Sequence, residues 1–321
     1  MKLDLSNLES IYISPLEGCN LTCKYCYTHK TSDVLSNQQI LDFVDQYQKF
    51  LNENSENTFF SCFEHASIHA KKKNVLKKNF HLKSIVLCGG EVFLLPDFPQ
   101  LVNTLIDKDI FVTIITNGTI DRLGEIKKPD SCQILVSLDG PKDIHDQNRG
   151  IGNFEKSIKY IKHAQELGFP VGIMFLVTKD SYLYKDTFLD YLKTEYNLKN
   201  IELTYLTDRK MSLTNDQCLD TKLHYPTFPA KNFGCYQLSL QSNGNITGCC
   251  ESSISLGKIT DDPQIYISKF IKNISPCFTC GLCQGCCDQS YLCGYPQEFH
   301  QKSCQDIIKL FNTKPSCHDK S

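Results

Sequence analysis

Six short apolar runs mark the first two thirds of the chain: IYIS (11–14), SIVLC (84–88), FVTIIT (111–116), CQILVSL (132–138), VGIMFLVT (171–178) and IELTYL (201–206). Each has strand length, and their apolar residues fall on both faces, as in strands covered on both sides. Between them, NQQILDFVDQYQKFL, DFPQLVNTLID, NFEKSIKYIKHAQEL and YKDTFLDYLKTEY repeat apolar residues at i, i+3 and i+4, the period of amphipathic helices. This alternation predicts an α/β fold with a parallel sheet covered by helices, either an open barrel or a doubly wound sheet. Six repeats are too few for a closed eightfold barrel. The interval 51–80 fits neither period and reads as an insertion whose basic tract is solvated surface.

The 321 residues exceed what one compact core usually supports, so a large domain and a smaller one are expected. A formal charge of -2 gives no general electrostatic attraction to nucleic acid or acidic membranes. The N-terminal MKLDLSNLES has neither the basic stretch nor the apolar core of a signal peptide. No run approaches the roughly 18 apolar residues of a membrane span. The expectation is a cytoplasmic protein with no nucleic-acid or membrane partner.

Eighteen cysteines change the picture, because a cytoplasmic chain has no use for a disulfide framework. Thiolate-bound metal is the better explanation. Seven cysteines are scattered over residues 1–234 and eleven fall between Cys235 and Cys317. The aperiodic stretch 209–234 is therefore read as a linker between domains 1–208 and 235–321. Cys62, Cys88, Cys132 and Cys218, in apolar or isolated settings, read as buried or incidental thiols.

Residues after the strands carry the candidate chemistry: CNLTCKYC after the first, Gly89-Gly90-Glu91 after the second, Asn117-Gly118 after the third, Asp139-Gly140 after the fourth and Lys179-Asp180 after the fifth. Each alone is an ordinary turn sequence. In a parallel α/β barrel, however, these ends form the reaction face, where the groups would converge. Cys19, Cys23 and Cys26, spaced C-x3-C-x2-C, fit a closed four-ligand zinc site poorly. Three thiolates on a [4Fe–4S] cluster leave one iron open to a substrate or cofactor.

Cys19, Cys23, Tyr25 and Cys26 resemble the CxxxCxΦC signature of radical S-adenosylmethionine (radical SAM) enzymes, with Tyr25 in the aromatic position. The resemblance implies a partial (β/α)6 barrel and an open-site [4Fe–4S] cluster that binds S-adenosyl-L-methionine. It implies that Gly89, Gly90 and Glu91 receive the cofactor's ammonium, although Val92 stands where the family usually has Pro. It further implies that Ser137 and Asp139 meet the ribose, that Arg149 pairs with the cofactor carboxylate, and that Asn117 lies near the cofactor.

The C-terminal third resembles the SPASM extension, a small cysteine-rich domain holding one or two auxiliary [4Fe–4S] clusters. Asn243-Gly244, flanked by alternating residues, predicts its β-hairpin, and a helix is expected after Cys304. Gly244-x4-Cys249 matches a family element, although Cys235 is one residue nearer Gly244 than expected. From Cys277 to Cys287 the spacing is C-x2-C-x2-C-x3-C, against the family's C-x2-C-x5-C-x3-C. By family topology Cys277, Cys280, Cys283 and Cys304 hold the outer cluster and Cys235, Cys249 and Cys287 the inner one, with Cys250, Cys286 or Cys293 as a fourth inner ligand. Without the N-terminal triplet, paired zinc ribbons would explain this region equally well.

The resemblance implies an oxidoreductase that modifies a peptide or protein and takes electrons from a flavodoxin or ferredoxin. Maturation of a ribosomally made peptide, through a thioether or carbon–carbon cross-link, is the favoured reaction. No winged-helix leader-binding module fits before the first strand, so recognition of any leader is expected to need a separate leader-binding protein or the barrel's open edge. A formylglycine-generating enzyme is the alternative, with Asp208 as its candidate base. A non-catalytic electron carrier fits less well, since it needs neither Gly-Gly-Glu nor Arg149.

Overall fold

The computed structural model describes residues 8–26, 28–54, 81–198, 200–205, 211, 213–214, 217, 238–248, 250 and 255–270. Each of the six apolar runs forms a strand: β1 (Ser10–Ile13), β2 (Ser84–Leu87), β3 (Phe111–Thr116), β4 (Cys132–Leu138), β5 (Val171–Val177) and β6 (Asn200–Tyr205). All pair in parallel with their sequence neighbours. Each crossover therefore steps the same way, and right-handed crossovers that never reverse direction place the helices on one face. A doubly wound sheet would reverse its strand order partway. The order is that of an open barrel wall.

The four helical patterns become α1 (Asn37–Asn54), α2 (Phe98–Asp107), α4 (Asn153–Glu166) and α5 (Lys185–Tyr196), with α3 (Lys142–Arg149) as an addition. The period had no means of revealing α3, because its buried residues are His145 and Asn148. Asp146 ties it to α4, accepting from Gly152 N at 2.9 Å and Phe154 N at 2.8 Å. Because α1 continues to Asn54, positions 51–54 are helical. Residues 55–80, most of the 209–234 stretch and residues 271–321 lie outside the described residues.

The expected hairpin forms between β7 (Ser239–Leu240) and β8 (Asn245–Thr247), followed by β9 (Ser255–Lys258). Its turn uses Gly244 at φ 78°, a conformation that glycine adopts without strain. The hairpin continues the main sheet, since β7 pairs in parallel with β1 through Tyr12–Ser239 and Ile13–Leu240. Ile246 and Leu256, with Tyr266 and Phe270 from a helical stretch at 263–270, share one buried cluster with Ile13, Phe43 and Tyr47. The Tyr266 and Tyr47 rings stack at 6.5 Å, and the Tyr47 hydroxyl donates to Leu8 O at 2.7 Å.

This shared core makes a prediction about cooperativity. Ile246→Ala should cost about 2 to 5 kcal/mol and shift one unfolding transition that includes the barrel strands. Denaturant titration of the metal-free protein, followed by far-ultraviolet circular dichroism, checks it. Two separate transitions, with the barrel's unchanged, would show independent units.

Candidate active site at the carboxyl ends of the strands

The chain leaves β1 through a loop that carries Cys19, Cys23, Tyr25 and Cys26, and it meets the β2 loop backbone to backbone. Gly90 N donates to Leu16 O at 3.0 Å and Glu91 N to Gly18 O at 2.9 Å. A Cβ on Gly90 would lie 1.9 Å from Gly18 O, and one on Gly89 2.4 Å from Leu16 O. Gly89 also has φ 143°. The glycine pair therefore permits an approach that any side chain would block.

Glu91 is completely buried beneath this contact. Its Oε1 accepts from Thr116 Oγ1 at 2.8 Å and Phe93 N at 3.2 Å, while Oε2 accepts from Asn117 N at 2.9 Å. Burial nevertheless pushes its pKa up, against those donors. One side chain thus joins the ends of β2 and β3.

On the other side of the cysteine loop, Tyr25, Asp139 and Arg149 form a buried triad. The Tyr25 hydroxyl donates to one Asp139 oxygen, and Arg149 Nε donates to the other at 2.9 Å. The guanidinium lies 5.5 Å from the Tyr25 ring centroid. Burial is the largest single influence and opposes the Arg149 charge, but Asp139, Tyr25 and Cys23 together outweigh it and hold the pKa above the ordinary arginine value. Lys24 N donates to Asn148 O at 3.1 Å, docking the loop onto α3.

Cys19, Cys23, Tyr25, Gly89, Gly90, Glu91, Asn117, Asp139 and Arg149 thus share one connected end of the sheet, reached by these contacts and by Asn117 Nδ2 at 3.9 Å from Cys19 Sγ. Ser137 is half-buried on β4, and Cys26 is exposed with its sulfur 3.1 Å from Thr28 Oγ1. Asp180, after β5, is exposed and outside this set. Cys88 and Cys132 are buried thiols. Asp208, Cys62, Cys218, Cys235, Cys249, Cys277, Cys280, Cys283, Cys286, Cys287, Cys293 and Cys304 lie outside the described residues. Cys250 is half-buried, and its carbonyl accepts from Gln241 Nε2 at 3.2 Å.

The donor chemistry suits an iron–sulfur cluster. Cys19, Cys23 and Cys26 are free thiols on one loop. Burial raises the pKa of Cys19 and Cys23, while the Leu21 N–H and the Arg149 charge respectively work in favour of their thiolates. Among the described residues no three His, Cys, Asp or Glu side chains converge as one metal ion requires. A cubane differs from such a site, since its thiolates bind separate irons.

Two site features were missed in the sequence. His145 and Asn148 are buried on α3, and their side-chain nitrogens and oxygen have no hydrogen-bond partner among the described residues. Burial lowers the His145 pKa from 6.5 to about 4. The unfolded chain therefore binds a proton between those values that the folded chain resists, so stability is present above about pH 6.5 and is lost as pH falls toward about 4. The contribution reaches about 3 kcal/mol at the acid end, at about 1.4 kcal/mol per pH unit. His145→Phe should flatten this limb in urea midpoints of the metal-free protein at pH 7, 6 and 5. A limb as steep as wild type would assign it to other groups.

The model of the radical SAM superfamily matches residues 13–191, from β1 into α5. Fe-coproporphyrin III synthase of Methanosarcina barkeri is 27% identical over 181 residues, covering 55% of this chain and 39% of that protein. The antilisterial bacteriocin subtilosin biosynthesis protein AlbA of Bacillus subtilis is 26% identical over 165 residues, covering 50% and 31%. A cysteine-type anaerobic sulfatase-maturating enzyme of Clostridium perfringens is 24% identical over 198 residues, covering 57% and 48%. The chain spans about a third to a half of the length of these curated relatives. Among solved structures, anSMEcpe with bound AdoMet and Cp18Cys peptide superposes with a TM-score of 0.61 at 19% identity, covering 89% of this chain and 88% of that one. Streptococcus suis SuiB bound to precursor peptide SuiA gives 0.59 at 15% identity, covering 87% and 71%. These two likenesses bear on the fold. The family match takes in more than half of the chain and every member of the connected site, and the protein belongs to the radical SAM superfamily, whose enzymes use S-adenosylmethionine and a [4Fe–4S] cluster.

Proposed function

We propose that the protein cleaves S-adenosylmethionine reductively and oxidises a ribosomally made peptide, forming a thioether or carbon–carbon cross-link. The observation that carries this reading is three free thiols on a loop pinned between the Gly89-Gly90 contact and the Tyr25–Asp139–Arg149 triad. Cys19, Cys23 and Cys26 would hold the cluster and leave one iron open. S-adenosylmethionine bound there supplies the 5′-deoxyadenosyl radical that takes a hydrogen atom from the substrate. Arg149 engages Asp139 through Nε, which leaves its terminal amino groups for the cofactor carboxylate. Glu91 already serves three donors, so its contribution toward an ammonium is the acceptor capacity that remains, beside the Gly89 and Gly90 carbonyls. In this reading Ser137 and Asp139 are on the ribose side and Asn117 is near the cofactor.

Residues 235–321 form the auxiliary-cluster domain in this reading, with the two cysteine sets assigned above as its ligands. Cross-linking removes two hydrogens from the peptide. One would leave as a hydrogen atom to the deoxyadenosyl group and the other as a proton, and the cysteine sets of residues 235–321 would hold the group that takes up the remaining electron. A flavodoxin or ferredoxin supplies the initial electron in this reading. Peptide chemistry is favoured by the likeness to the subtilosin biosynthesis protein. Likeness to a sulfatase-maturating enzyme favours formylglycine formation as the second reading.

Anaerobically reconstituted protein should carry about 12 iron and 12 sulfide per chain, at about four of each per cubane. Replacing Cys19, Cys23 and Cys26 together by Ala should remove about a third of that iron and all cofactor cleavage. Cys277→Ala with Cys280→Ala should retain cleavage and abolish product. With the cognate peptide, the product should be about 2 Da lighter and inert to hydrazide, as a cross-link made by net two-electron oxidation requires. Hydrazide capture would move the assignment to formylglycine. Zinc in place of iron, or addition of a methyl group, would defeat both readings.

A further inference from the structure

Two side chains that no motif singles out, Asn20 and Thr119, close a hydrogen-bonded ring with Asn117. Asn117 Oδ1 accepts from Thr119 N at 2.9 Å and from Thr119 Oγ1 at 2.6 Å. The Thr119 hydroxyl accepts from Asn20 Nδ2 at 2.8 Å, and Asn20 Oδ1 accepts from Asn117 Nδ2 at 3.0 Å. The Asn117 backbone is held as well, with its N–H on Glu91 and its carbonyl accepting from Ser157 Oγ at 2.7 Å. Two donors on Oδ1 settle which way the amide faces: turned over, it would aim its own N–H groups at Thr119. Nδ2 therefore points at the cysteine loop. One of its hydrogens serves Asn20, which leaves the other for Cys19 Sγ at 3.9 Å. The same sulfur accepts from Leu21 N at 3.4 Å.

We propose that Asn117 is a tuning residue for Cys19: its side-chain N–H, aimed by Asn20 and Thr119, hydrogen-bonds the Cys19 thiolate and raises the reduction potential of the cluster held there. The inference rests on the proposed ligation by Cys19. An N–H dipole directed at a thiolate stabilises the negative charge added when the cluster takes one electron, so the reduced form gains more than the oxidised one. A neutral amide does this with no proton taken up. Asn20 and Thr119 are positioning residues, since they act through Asn117. A ring that served only to clamp the two loops would change how well the loop holds iron, not the potential.

The test is a reductive titration with dithionite of the anaerobically reconstituted full chain, without S-adenosylmethionine. It follows the electron paramagnetic resonance signal that shifts when the cofactor is afterwards added. Asn117→Asp keeps the oxygen that Thr119 donates to but exchanges the amide N–H for a carboxylate whose charge also opposes reduction, so Thr119→Val is the charge-neutral arm. Asn117→Asp should make reduction at least tenfold less favourable, a potential lower by about 59 mV for a one-electron couple. Thr119→Val should lower the potential by less, and Thr119→Ser, which keeps the hydroxyl, should match wild type. Iron content should be unchanged in all three. Wild-type potentials in Asn117→Asp and Thr119→Val would overturn the proposal, and so would loss of iron in them without a shift in the cluster that remains. Full iron and the same signal in a Cys19→Ala variant would instead show that the ligation reading itself fails.

Discussion

Everything at the reactive end of this sheet depends on how closely the loops after β1 and β2 approach. The carbonyls of Leu16 and Gly18 occupy the space where side chains at 89 and 90 would begin. Two backbone hydrogen bonds hold them there. Any bulk at that contact would push the cysteine loop off the strand ends. Glu91 follows directly, and the same turn that brings the backbones together delivers its carboxylate beneath β3. A buried carboxylate is costly unless its oxygens are served, and three donors serve this one. The cost and its compensation are both local, so the ends of β1, β2 and β3 behave as one rigid mount.

The second mount is electrostatic. Asp139 is wholly buried, and among the described residues the Tyr25 hydroxyl and the Arg149 guanidinium offset the loss of its hydration. Such a pair adds little net stability against an apolar substitute, but removing either partner leaves a buried charge alone. Its value here is geometric: Tyr25, between Cys23 and Cys26, is fixed to the end of β4, and the cation that fixes it faces the same site. Lys24, adjacent to Tyr25, adds a backbone bond to α3. The cysteine loop is thereby held from both sides while Cys26 stays exposed.

The strands and the amphipathic helices were legible because burial on both faces and a one-sided apolar stripe leave distinct periods in the sequence. The hairpin was legible because Asn243-Gly244 is a turn signal with a steric cause. Helix α3 was not, since its buried face presents His145 and Asn148, which carry no apolar period. The glycine pair and Glu91 were recognised as a motif, but their structural work, a backbone contact and a three-donor carboxylate, lies in three-dimensional proximity. Likewise Asn20 and Thr119 read as ordinary loop residues, and their ring with Asn117 joins positions 97 and 99 residues apart. Sequence-local reasoning finds groups that chemistry requires, and it passes over groups that hold them in place.

The charges around the cysteines also bear on how the site fills. Burial alone would keep Cys19 and Cys23 protonated, whereas ligation to iron requires thiolates. Arg149 near Cys23 and the Leu21 N–H on Cys19 lower part of that barrier before any metal arrives. Iron held there, as proposed, would overcome the remainder, because its positive charge inverts the local preference. Assembly on these thiols would therefore release protons, next to an Arg149–Asp139 pair that is already charge-balanced. The contacts that hold the loop, backbone carbonyls and a charge-balanced ion pair, are thus separate from the groups whose charge would change. That separation of holding from charging is what lets one loop carry both the three cysteines and the residue that anchors them.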